Sequence, residues 1–171
     1  MRLVSVLLIG AVSISFAGEN PVSKYTSTAE KKAIRFQREK SDQGEFEGIY
    51  RGFGGYDLQF VGGDERSWIN IRFGKSVVDL REATMDLGVG IGFFPHKAND
   101  TVEWRGVQKN GKFVPYALIY RIAGVDENGK HEKTRLVVIK LAKERSRIIG
   151  HADEPNAEVE AERIADSARG D

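Results

Sequence analysis

The sequence predicts an α+β fold, a mostly antiparallel sheet of about seven strands with a C-terminal helix packed on it. Three observations carry this prediction. Over residues 67–73, Trp68, Asn70 and Arg72 alternate with Ile69, Ile71 and Phe73, the period-two pattern of a half-buried strand. Asn110-Gly111 separates two apolar-rich segments, and this dipeptide readily takes the left-handed conformations of a tight hairpin turn. Near the end of the chain, Ala157, Ala161, Ile164, Ala165 and Ala168 recur on one helical face, small enough for close docking on a sheet.

The elements follow in order. Met1 and Arg2 precede an apolar run over residues 3–16 that ends in Ser15-Phe16-Ala17. This order fits a secretory signal peptide, and the run is too short to span a bilayer. Residues 1–17 are therefore expected to be removed, leaving a periplasmic or secreted product. Residues 18–27 are polar and broken by Pro21, which reads as a flexible leader, and residues 28–171 as a single β-rich domain. Thr28 starts a short helical turn, and residues 35–39 run extended. Strands are expected at 46–51, 56–61 and 67–73, separated by glycine-rich turns at 52–55 and 62–65.

Residues 76–87 read as a short helix through Val77, Leu80, Arg81 and Thr84, which Gly88-Val89-Gly90-Ile91-Gly92 cannot continue. Strands at 101–107 and 113–122 flank Asn110-Gly111, and Asn128-Gly129 lies in a longer loop before a strand at 134–141. Leu136-Val137-Val138-Ile139 is apolar on both faces, as a central covered strand requires. A turn at Lys143-Glu144-Arg145 leads to a strand at 147–152. Pro155 suits the first turn of the last helix, with Asp153 or Glu154 near its positive end, and Glu158, Glu162, Arg163 and Asp166 are left for solvent. One curled sheet and two packed sheets both satisfy this pattern.

Composition narrows the function. No cysteine is present, so no disulfide framework, lipid attachment or thiol chemistry is available. Arg2 leaves with the signal, after which the remaining basic residues balance the 25 acidic ones. The two signs alternate along the chain, which argues against a nucleic-acid partner. No later apolar run is long enough for a transmembrane helix.

Gly54-Gly55-Tyr56, Gly63-Asp64-Glu65-Arg66, Asn99-Asp100-Thr101-Val102-Glu103-Trp104-Arg105, Leu136-Val137-Val138 and Ile164-Ala165-Asp166 together resemble a family of small exported alphaproteobacterial proteins without an assigned activity. The likeness runs over almost the whole mature chain. It implies a periplasmic setting and a shared fold, and supplies no activity. Members tend to carry cysteines near the positions of Ala33 and Arg51, which this chain lacks.

The search for chemistry gives sparse candidates. His96, His131 and His151 show no metal-ligand spacing, and no metal or cofactor is expected. His151 with Asp153 is the candidate acid/base pair. No Gly-x-Ser-x-Gly turn is present, and the glycines at 88–92 lack the lysine of a phosphate loop. Trp68 beside Arg66, and Trp104 beside Arg105, are the candidate recognition residues, since an indole with a flanking guanidinium can form a binding surface. The reading is a non-enzymatic periplasmic binding or interaction module for an envelope protein, peptide or glycan. The alternative is a small envelope hydrolase using His151 and Asp153.

Overall fold

Alternating side chains and tight turns assemble the described residues of this chain into two antiparallel five-stranded sheets packed face to face. A computed structural model describes residues 19–40, 44–63, 66–87, 100–125 and 132–169. The first sheet has the order β1 (Val22–Ser27), β7 (Thr101–Lys109), β8 (Lys112–Val125), β9 (Glu132–Lys140) and β10 (Arg147–Asp153). The second runs β2 (Arg35–Arg38), β3 (Phe46–Arg51), β4 (Tyr56–Gly63), β5 (Arg66–Phe73) and β6 (Ser76–Val78). Helix α1 (Arg81–Met85) follows β6, and helix α2 (Ala157–Ser167) follows β10.

The described residues thus contain ten strands rather than about seven. Two of the additional strands lie in segments read otherwise. Val22–Ser27, expected in the leader, is strand β1, paired with β7 from Val22↔Gly106 to Ser27↔Thr101. Its polar sequence carries no alternation, because an edge strand is held chiefly by its neighbour's backbone. Ser76–Val78, read as helix, forms β6 on a tight turn where Gly74 has φ 60°, and the helix is confined to Arg81–Met85. Strand β2 falls in the stretch read as extended. Pro155 precedes the last helix, whose N-cap position is Asn156.

Tyr50, Leu58, Phe60, Ile69 and Ile71 from the second sheet meet Val102, Trp104, Leu118, Ile122, Val137 and Ile139 from the first in one buried core. Burial of these side chains drives the sheets together. The Asn110-Gly111 hairpin forms as expected, with φ 50° and 72°. Pro115 faces β7 beyond the point where β9 begins to pair with β8, so its missing N–H removes no ladder bond on that side.

Aromatic rings also close over glycines. Phe46 and Gly62 are register partners, and a Cβ on Gly62 would lie 2.2 Å from the ring.

Helix α2 covers the outer face of the first sheet. Ala157, Ala161 and Ala165 are fully buried against Ala117, Ile119, Leu136, Val138 and Ala152. Expected in solvent, Glu162 and Asp166 instead turn onto the sheet, while Glu158 stays exposed as expected and still meets an arginine of the sheet. Arg121 reaches Glu154 at 3.0 Å and also Glu158, while Arg105 reaches Asp166 and Glu162. Arg163 does pair within the helix, with Glu160.

Candidate binding groove

Strand alternation sends one row of side chains to the outer face of the second sheet. Gln37, Glu47, Val61 and Trp68 are successive register partners across β2, β3, β4 and β5. Their inward neighbours Phe60 and Ile69 are buried in the core, which fixes the orientation of the row. Together with Glu39, Glu45, Arg66 and Arg81, this row lines an open groove of ≈ 530 Å³, within the usual size range of ligand sites.

Helix α1 shapes one wall. Thr84 is buried and donates to the Leu80 carbonyl at 2.7 Å, and Asn70 Oδ1 accepts from the Leu80 N–H at 2.9 Å. The Asn70 bond ties the start of the helix to β5. Arg81, one turn away from Thr84, is left exposed with its guanidinium 5.2 Å from the centre of the Trp68 ring, a cation–π stack. The Trp68 indole N–H is shielded from solvent and meets no acceptor among the described residues. Opposite, Glu47 is held by Arg35 at 3.0 Å and Gln59 at 3.1 Å. The groove is therefore polarised, with carboxylates on the β2–β3 side and guanidiniums on the β5–α1 side.

Of the sequence-derived recognition residues, Arg66 and Trp68 come together in this groove, and Trp104 and Arg105 lie on the other sheet. Trp104 is fully buried, donates to Thr26 Oγ1 at 2.8 Å and meets Phe53 edge-on at 5.7 Å. Arg105 is on the opposite face of β7, bonded to Asp166 and Ser23. Comparisons with protein-family models, curated proteins and solved structures found no match.

His151 and Asp153 share one face of the edge strand β10, and both are exposed. Asp153 is engaged by Arg135 through two bonds of 2.7 Å. Those hydrogen bonds hold its carboxyl below the ordinary value, with the neighbouring charges of Arg135 and His151 acting the same way. Neither residue lines the groove. His96, His131 and the glycines at 88–92 lie outside the described residues, as do residues 1–17 and Asn128-Gly129. Among the described residues, no three His, Cys, Asp or Glu side chains gather to hold a metal ion, and no helix is long and apolar enough to cross a membrane.

Sequence reasoning missed Gln37, Glu39, Glu45, Glu47 and Arg81. A signal was present in the polar residues at alternate positions along and just beyond two neighbouring strands, Gln37 and Glu39 beside Glu45 and Glu47. It becomes a site only once register aligns them with Trp68.

Proposed function

We propose that the mature chain is a periplasmic binding module, not an enzyme, and that its ligand occupies the groove on the outer face of the second sheet. One observation carries this reading: an Arg81–Trp68 stack and Arg66 face a bank of carboxylates across four paired strands. Opposite charges on the two sides of one groove, not joined to each other in ion pairs among the described residues, suit a ligand that carries both hydrogen-bonding and charged groups. The periplasmic setting rests on the leader-like first residues and on the family resemblance. The hydrolase alternative is weaker, since Asp153 is already committed to Arg135 and a catalytic pair needs a cleft around the reacting atom.

The test uses immobilised mature protein challenged with an enzymatic digest of envelope material. Saturable retention is expected from the unaltered protein and loss from Trp68→Ala and Arg81→Ala, with unchanged circular dichroism in both. Retention undiminished by either substitution would remove the groove from consideration.

A further inference from the structure

The polarity of the groove has a direction and a length. Glu39 and Glu45 lie at its β2–β3 end, and among the described residues neither takes part in a side-chain ion pair or hydrogen bond. At the β5–α1 end, Arg66 is exposed and likewise has no ion pair among the described residues, while Arg81 is engaged through its side chain only with the Trp68 ring. From β2 to β5 there are three interstrand steps, about 14 Å at the usual spacing of ~4.8 Å. An extended peptide advances about 3.3 Å per residue, so roughly four residues bridge the two charged ends.

Resting on the binding reading above, we infer that the groove takes a free-ended peptide of about four residues lying across the strands. Its carboxylate sits at Arg66 and Arg81, and its ammonium at Glu39 and Glu45. Guanidiniums match a terminal carboxylate in geometry and charge. Carboxylates accept from the three N–H donors of an ammonium. Between the ends, Val61 and the Trp68 ring offer apolar contact, and the Gln37 amide offers a donor and an acceptor to the peptide backbone. The shielded Trp68 N–H, without an acceptor among the described residues, gains one when a peptide carbonyl enters beside a displaced Arg81. A neutral glycan would use the indole but leave both charged ends unmatched, an arrangement that costs affinity.

The two indole N–H signals of the ¹⁵N-labelled mature protein provide the readout, with Trp104, bonded to Thr26, as internal control. Tetra-alanine with free termini should shift the Trp68 signal saturably and leave that of Trp104 in place. N-acetylation or C-terminal amidation should each weaken binding about tenfold, the loss expected from one charge-assisted hydrogen bond. Glu39→Gln with Glu45→Gln should abolish the penalty for acetylation, and Arg66→Gln with Arg81→Gln the penalty for amidation. Equal binding of free and blocked peptides would overturn the inference, as would a Trp68 shift produced by chitotetraose and not by tetra-alanine. If tetra-alanine fails while the envelope digest still shifts Trp68, the peptide assignment alone falls. If neither shifts it, the binding reading falls as well.

Discussion

Arg105 on β7 grips Asp166 on helix α2 through two parallel hydrogen bonds, Nε to Oδ1 at 2.8 Å and Nη2 to Oδ2 at 2.9 Å. Tyr116 on β8 donates to the same carboxylate at 2.5 Å. Arg105 also donates to Ser23 Oγ at 2.9 Å, and Ser23 donates to Glu103. One half-buried network thus joins β1, β7, β8 and the last helix, where the alanine face alone offers little apolar area.

Replacing Asp166 by Asn keeps the shape and removes the charge, leaving Glu162, at 3.2 Å, as the ion-pair partner of Arg105 among the described residues. Unfolding in urea should show a loss of about 2 kcal/mol, and the melting temperature should fall by about 4–8 °C. Glu160→Gln, which breaks an exposed pair within the same helix, should leave both unchanged. Equal effects from the two substitutions would deny the network any special role.

Acid should act in two opposite steps. Arg105 holds the Asp166 carboxyl below its ordinary value, as Arg135 does for Asp153. Each therefore adds stability above the unfolded value of about 3.9, lost as pH falls through the depressed folded value. Burial pushes Glu103 up. Its ionised form opposes folding at pH 7, and protonation removes that cost as pH falls through its raised folded value towards about 4.3. The urea midpoint should rise slightly from pH 7 to about 4.5 and drop below about 4. Glu103→Gln should flatten the rise and spare the drop; a rise that persists in this variant would assign it elsewhere.

The two tryptophans should separate cleanly. Trp104 is fully buried, and Trp104→Ala should cost about 3–5 kcal/mol, visible as loss of near-ultraviolet dichroism or of soluble product. Trp68, half-buried on the outer face, should tolerate Ala with the fold intact. The reverse outcome would invert the assignment of core and surface.

Gly62→Ala places a methyl in the Phe46 ring and should destabilise by about 1–3 kcal/mol. Combined with Phe46→Ala, which removes the clashing ring, it should cost little beyond Phe46→Ala alone. Simple addition of the two losses in urea titrations would show the clash to be unimportant.

Much of the scaffold was legible locally. The alternation at Ile69 and Ile71, the Asn110-Gly111 turn and the spacing of Ala157, Ala161 and Ala165 each reflect constraints that act within a few residues. Strands β1 and β6 were not, because Val22–Ser27 and Ser76–Val78 become strands through partners that contribute most of the order. Glu162 and Asp166 read as solvent-facing for a related reason, since helical spacing locates the alanine face but not the arginines waiting on the sheet beneath its margin.

By itself, the sequence determined which segments other than β1 and β6 extend, where the 110–111 hairpin turns and which face of the last helix docks, because steric preference and apolar period are local properties. Only the tertiary structure decided that there are two sheets, that Trp104 belongs to the core while Trp68 lies beside Arg81, and that Glu39 and Arg66 face each other across one groove. Those outcomes depend on register and layer packing, which bring together residues far apart in the chain through contacts that no single segment encodes.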